Sequence, residues 1–396
     1  MIDTINNTVS SFTVADSLKA NNMYPFFRPI SSSQGTVVQL KRKQLLMFGS
    51  NSYLGLTDHP LVKEAAKDAI DHYGTGCAGS MFLNGTLDIH IELERELAAF
   101  VGKEDAVLFP TGFQANLGTV SCLLKRRDYL VLDESNHASI IDGSRLSFSG
   151  KTKYLHNNTE DLDKKLQALP VEAGKLIVSD GVFSMEGDIV DLPSIVNIAR
   201  KHQAAILIDD AHGLGVFGNG GRGTASHFGL TDSVDLIMGT FSKSLASIGG
   251  FVAGNTSIID FIRHKARSLM FSASMPPAAV ASTLAALQIL RNEKQRVTDL
   301  WDNVNYTRAL LKAEGYDIGG SVSPVIPVYT GSNEKTFLLT KILEENGVFV
   351  NPVVSPAVKE GDSLIRLSLM ATHSTGQIDF LVEQLNNAFK QLDLKR

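Results

Sequence analysis

The sequence predicts an α/β protein: a large unit built on a mostly parallel sheet, then a smaller α+β unit at the C-terminal end. Three observations carry that expectation. Short apolar runs without polar alternation recur between residues 46 and 285, separated by helix-like stretches, as in a sheet covered on both faces. Chemistry-bearing polar residues stand directly after several of these runs. Beyond about residue 285 the texture changes to short strands alternating with helices.

Taken in order, residues 1–45 read as an arm, weakly amphipathic over Phe12–Lys19 and broken by Tyr24–Pro29. Helical spacing marks Lys63–Tyr73 and His90–Val101. Buried strands are expected at Ala106–Phe109, Tyr129–Leu132, Lys175–Ser179, Ala204–Ile208, Leu236–Gly239 and Gly250–Ala253. Helices are expected between several of them, at Phe113–Leu124, Asp161–Leu169 and Pro193–His202. One long helical stretch runs from Pro277 to about Leu311. In the C-terminal unit, 286–396, strands near Pro324–Val328 and Leu364–Leu369 alternate with helices near Glu334–Asn346 and Gln377–Leu392.

Composition narrows the class. A chain of 396 residues is long enough for two or three structural units. With 43% apolar and 20% charged residues, it is neither disordered nor fibrous. The net charge of −5, from 37 basic and 42 acidic residues, argues against a nucleic-acid partner. Two cysteines, Cys77 and Cys122, cannot make a disulfide framework, which favours a reducing compartment. MIDTINNTVSSF lacks the basic start and apolar core of a secretory signal. The apolar run Ala278–Leu290 falls short of the roughly 20 residues of a spanning helix and reads as a buried one. A cytoplasmic protein is expected, and loose contact with the inner face of the membrane is compatible with this.

Two motifs mislead. Gly213–Gly218 fits GxGxxG after a strand, but dinucleotide-binding glycines open a helix, and Asn219-Gly-Gly-Arg-Gly223 cannot. Gly150-Lys151-Thr152 ends like a phosphate-binding loop but lacks the required earlier glycine, where Arg145 stands, and reads as a turn. Neither HExxH nor paired CxxC occurs, so no protein-held catalytic metal is expected.

The informative residues lie at the carboxyl ends of the strands, where open α/β sheets bind ligands. Ala204–Ile208 runs into Asp209-Asp-Ala-His212, and a buried carboxylate there needs a partner. Leu236–Gly239 runs into Thr240-Phe-Ser-Lys243, which offers an amine nucleophile. Each alone has an ordinary reading, as a salt bridge or a solvated loop. Together, an imine-forming lysine and an acid for a protonated ring nitrogen are the minimum that pyridoxal 5′-phosphate (PLP) requires. Thr111-Gly112-Phe113 opens a helix whose free N–H groups could cradle the phosphate. His137, after Tyr129–Leu132, could stack on the ring.

These segments resemble a known family. Asn51-Ser-Tyr-Leu-Gly-Leu56, Thr111-Gly-Phe-Gln-Ala-Asn116, Asn136-His-Ala-Ser139, Asp180-Gly-Val-Phe-Ser-Met-Glu-Gly-Asp188, Asp209-Asp-Ala-His212 and Thr240-Phe-Ser-Lys243 look like the α-oxoamine synthases. Those are fold-type I PLP enzymes that condense an amino acid with an acyl-CoA and lose CO2. The match runs from about 46 to 375. MFGSNSYLGL (47–56), FLNGTLDIH (82–90), NHASIIDGSRLSF (136–148) and MGTFSKSLASIGGFVAG (238–254) look closest to bacterial members that join L-serine to palmitoyl-CoA.

The resemblance implies roles. Lys243 would hold PLP through its amine and then move the substrate α-proton. Asp209 would pair with the ring nitrogen, His212 would bond the ring hydroxyl near Ser184, and His137 would stack on the ring. Gly112 and Phe113, helped by Thr240 and Ser242, would bind the phosphate. The site would lie between two subunits of a homodimer, with Ser272 and Ala273 reaching the partner's phosphate. Arg366 would grip the amino-acid carboxylate, with Asn51 lining the same pocket. One departure stands out: Met81 replaces an arginine expected there, through either a changed pocket or a neutral surface exchange. Glycine, alanine or cysteate with other acyl thioesters remain alternative substrates. A catalytically silent paralogue could have dispensed with Lys243.

Overall fold

The computed structural model describes residues 2–394. Thirteen strands are found among them. In the first part of the chain, β1 (Val37–Leu40) and β2 (Lys43–Met47) form a hairpin. The central sheet takes β3 (Asp105–Phe109), β4 (Tyr129–Asp133), β5 (Gly150–Tyr154), β6 (Lys175–Asp180), β7 (Ala205–Asp209), β8 (Leu236–Thr240) and β9 (Gly250–Gly254). Towards the C-terminus come β10 (Val325–Gly331), β11 (Val348–Phe349), β12 (Asn351–Val353) and β13 (Ser363–Ser368).

The central order is β3-β9-β8-β7-β6-β4-β5. Strands β4 to β8 pair in parallel, and β9 alone runs against both its neighbours. Both faces are buried, which explains the continuous apolar runs. In β7, Ile206 and Ile208 face one core while Leu207 faces the other. The α/β class and the mostly parallel sheet therefore hold. Burying each such side chain contributes roughly 1.5–3 kcal/mol, enough in sum to pin the strand ends on which the site is built.

Gly150-Lys151-Thr152 is not the expected turn but the start of β5, the sheet's edge strand. Its alternation escapes notice because the outward residues are Lys151 and Lys153, the residues that keep an edge from pairing further. Gly150 is required there, since a Cβ would come within 2.5 Å of the Tyr129 ring. The long helical stretch is also two helices, Pro277–Asn292 and Gln295–Ala313. The break redirects the chain from the core holding Leu287 and Leu290 to the one holding Leu300, Val304 and Leu311.

The smaller antiparallel sheet, β10-β13-β12, carries Arg366 on its middle strand. A third sheet, β1-β2-β11, ties residues 37–47 to the C-terminal part of the chain through the register Val348↔Leu46. Strand pairing across about 300 residues is invisible to local sequence patterns. Earlier in the arm, the helices Ile2–Ser10 and Val14–Ala20 leave Val9, Phe12 and Val14 exposed.

Candidate active site

The carboxyl ends of the central strands surround a cavity of about 340 Å³. Its lining includes Gly112, Phe113, His137, Ser184, Asp209, His212, Thr240, Ser242 and Lys243. Strand ends place them: Asp209 is the last residue of β7, Thr240 the last of β8, and Lys243 follows in the turn. A buried strand delivers its terminal residue rigidly, because both neighbouring strands fix its register.

Asp209 is buried, and each oxygen accepts one hydrogen bond: Oδ2 from Asn116 Nδ2 at 2.6 Å and Oδ1 from the Ala211 N–H at 2.9 Å. Further lone pairs remain for a ring N–H. Lys243 is half-buried, and dehydration of its amine pushes the pKa down to about 8. Asp209 opposes that shift, and the Arg366 charge adds to it. A neutral amine is therefore accessible near neutrality, as an imine-forming or proton-accepting lysine needs.

His137 caps the helix Ala138–Leu146. Its backbone N–H donates to Asp180 Oδ2 at 2.7 Å, and the Ser139 N–H donates to its Nδ1 at 3.3 Å. The accepting Nδ1 assigns the proton to Nε2. Burial lowers the ring's pKa, so the imidazole is neutral. His212 is buried with its Nδ1 2.6 Å from the Tyr53 hydroxyl, and burial drives its pKa well down.

Thr111 caps the helix Gly112–Cys122, its Oγ1 accepting from the Gln114 N–H at 3.1 Å. The Gly112 and Phe113 N–H groups, in the first turn, have no intrahelical acceptor. A Cβ on Gly112 would sit 2.7 Å from Thr240 Oγ1, so only glycine lets the helix start this close to β8. The Thr240 hydroxyl donates to the Gly249 carbonyl and lies 3.1 Å from Ser242 Oγ.

Arg366 is buried on β13. Its Nε donates to the Ser184 carbonyl at 2.6 Å, and Nη1 donates to Asn51 Oδ1 and Ser368 Oγ, each at 2.9 Å. Its Nη2 is buried with no partner. Ser272 and Ala273 lie outside the cavity lining. Ser272 Oγ accepts from Gln114 Nε2 at 3.1 Å, near the start of the helix Gly112–Cys122, and Ala273 is exposed. Met81 also lies outside the lining and packs, half-buried, against the core. The glycines of Gly213–Gly218 form turns followed by the short helical turn Asn219–Gly221 and the four-residue helix Thr224–His227, so they do not open a long helix as a dinucleotide cradle requires.

Four residues were missed in the sequence as site residues. Tyr53 orients His212 from 159 positions away. Asn116 is buried in mid-helix and donates both to Asp209 Oδ2 and, at 2.9 Å, to Ser139 Oγ, which contacts His137 Nδ1 at 2.8 Å. It thus couples the acid to the histidine. Asp180 and Ser139 also line the cavity. The signal for Asn116 was available: a polar residue one turn inside an apolar helix, on the face of Gly112. Asn116→Leu is expected to lower turnover about 10- to 100-fold while PLP content stays near normal. Steady-state rates alongside cofactor absorbance check this.

Known proteins share this fold and family. The model of the family "Aminotransferase class I and II" matches residues 43–385. A serine palmitoyltransferase of Sphingobacterium spiritivorum is 60% identical over 391 residues, covering 99% of this chain and 98% of that one. An 8-amino-7-oxononanoate synthase of Alkaliphilus metalliredigens is 40% identical over 378 residues, covering 95% and 96%. A solved serine palmitoyltransferase with PLP internal aldimine superposes with a TM-score of 0.95 at 34% identity, over 99% of each chain. The chain belongs to the class I and II aminotransferase family, within its α-oxoamine synthase branch.

Proposed function

We propose that this chain is a PLP-dependent serine palmitoyltransferase. It joins L-serine to palmitoyl-CoA, releasing CoA and CO2 and leaving 3-oxosphinganine, the opening step of sphingolipid synthesis. The observation that carries the reading is one cavity holding Lys243 and Asp209, beside an Arg366 whose buried Nη2 lacks a partner. Within the branch, 60% identity to a serine palmitoyltransferase against 40% to an 8-amino-7-oxononanoate synthase favours serine and a long acyl chain.

The residues fit PLP. The close approach at Gly112 leaves a backbone cradle that a side chain would fill. Gly112 and Phe113 N–H groups would hold the phosphate with the hydroxyls of Thr240 and Ser242. His137 would lie on the ring, and Ser184 and His212 would flank its hydroxyl. Lys243 would hold the aldehyde carbon. Bound PLP supplies an electron sink for the pair left when the substrate Cα loses its proton.

The chain's own residues do the rest. Asp209 would hold the proton on the ring nitrogen, since an adjacent carboxylate favours the cationic form. Arg366 binds the serine carboxylate through its free Nη2, a charge-assisted contact made by a buried side chain. His137 Nε2–H donates to the same carboxylate, fixing the substrate's orientation. Lys243, with its amine free, would accept the Cα proton. Only the neutral amine can act, and with its pKa near 8 the neutral fraction rises as pH climbs through that value. Capture of PLP by the apoprotein should therefore slow about tenfold per pH unit well below 8 and level off above it. Stopped-flow absorbance tests this, and a rate independent of pH would contradict the assignment.

The proposal includes a homodimer in which Ser272 and Ala273 reach the partner's phosphate. The working parts are the arm 1–45, the PLP-binding unit 46–285 and the C-terminal unit 286–396. It places the enzyme in the cytoplasm, in loose contact with the inner face of the membrane. No helix among the described residues is long and apolar enough to cross one. A panel of amino acids, each with several acyl-CoAs, tests the substrates by CoA release. Turnover of glycine, alanine or cysteate in preference to serine would overturn the substrate assignment.

A further inference from the structure

The mechanism leaves one ionised cluster beside the cavity unused. His156 follows β5, with its Nδ1 3.0 Å from Asp133 Oδ1 and its Nε2 2.9 Å from Asp188 Oδ2. A ring nitrogen facing a carboxylate on each side donates on both, so the imidazole is a cation. Burial alone would lower its pKa, but the two carboxylates prevail and raise it to about 10. The ring stands edge-on to Phe183, with centroids 4.3 Å apart. Asn157 repeats the link: its N–H donates to Asp133 Oδ2 at 3.0 Å and its Nδ2 to Asp188 Oδ2 at 3.2 Å.

Asp133 ends β4, a rigid strand of the central sheet. Asp188 belongs to the tongue 181–189, whose two limbs are joined by the Val182↔Ile189 bridge and by the Phe183 N–H donating to the Asp188 carbonyl at 2.9 Å. The same tongue carries Ser184, whose carbonyl receives Arg366 Nε at 2.6 Å. Nη1 is fixed by Asn51 and Ser368 and the guanidinium also interacts with Tyr53, so the Ser184 carbonyl on Nε is the one backbone constraint from the tongue on where Nη2 lies.

We infer that His156 is a positioning residue for the amino-acid carboxylate: by tying Asp133 on the sheet to Asp188 on the tongue, it sets the Ser184 carbonyl that aims the Arg366 fork. The tongue has further ties, Asn157 Nδ2 on the Ile189 carbonyl at 2.9 Å and the Val322 N–H on the Gly187 carbonyl at 3.0 Å, so loss of His156 loosens it rather than unfolding it. The inference rests on the proposed role of Arg366.

The test titrates the holoenzyme with L-serine and with L-serine methyl ester, which lacks the carboxylate charge, and follows cofactor absorbance. His156→Phe keeps the ring against Phe183 and removes both donors. It should weaken L-serine binding about tenfold, the worth of one charge-assisted hydrogen bond. Affinity for the ester and the KM for palmitoyl-CoA should stay unchanged. Asp188→Asn should shift the same way by less, and it decides the matter if His156→Phe does not fold. Unchanged L-serine affinity overturns the inference, as does equal weakening of the ester or a parallel rise in the palmitoyl-CoA KM. Arg366→Ala separates the two layers. If it too leaves the preference for L-serine over the ester intact, the role of Arg366 is wrong. If it abolishes that preference while His156→Phe keeps it, the inference about His156 alone fails.

Discussion

Lys243→Ala is expected to lower turnover by about 10³-fold or more, because the change removes both the covalent hold on PLP and the base that takes the Cα proton. The fold should survive. The turn around position 243 is held without the lysine, by the Phe241 N–H on the Gly249 carbonyl and by Ser244 Oγ on the Leu214 carbonyl at 2.7 Å. The phosphate cradle at Gly112 and Phe113 also stays, so the variant should bind PLP but release it on dialysis. Steady-state CoA release and the absorbance of the dialysed protein measure both effects. Retained turnover together with retained cofactor would show that another amine does the work.

Asp209→Asn should have the next largest effect, about 10²- to 10⁴-fold on turnover. Both Asp209 oxygens accept from donors, Asn116 Nδ2 and the Ala211 N–H. An amide at 209 must set its own NH2 against one of these or turn it elsewhere, and either way the charge opposite the ring nitrogen is lost. If Asn116 flips to compensate, it gives up its bond to Ser139 and disturbs His137. PLP should still bind, since the cradle is elsewhere. Exchange of the L-serine α-proton with solvent deuterium, followed by NMR, should fall in step with turnover. Exchange at the normal rate would contradict the role given to Asp209.

The residues legible from the strand pattern itself share one property: each ends a strand or comes just after one. Asp209 and Thr240 end strands, Lys243 and Gly112 come just after, and a buried apolar run announces where they must be. Partners supplied from elsewhere were not legible. Tyr53 meets His212 across 159 residues, Asn116 meets Asp209 across 93, and His156 meets Asp188 across 32. Asn116 stands out as a polar residue in an apolar helix, but nothing local names its partner, and nothing local marks the other two pairs. The sheet β1-β2-β11 escaped for the same reason. The family motifs did name Arg366 and Asn51, but not that the Ser184 carbonyl aims the guanidinium, because a backbone acceptor leaves no trace in residue type.

Covalent attachment of PLP to Lys243 is the claim on which the remaining roles depend. Borohydride reduction of the holoenzyme followed by peptide mass mapping tests it directly. A phosphopyridoxyl group on Lys243 alone is the expected result. A tag on another lysine, such as the buried Lys175, or no tag on a protein that turns over, would contradict the account.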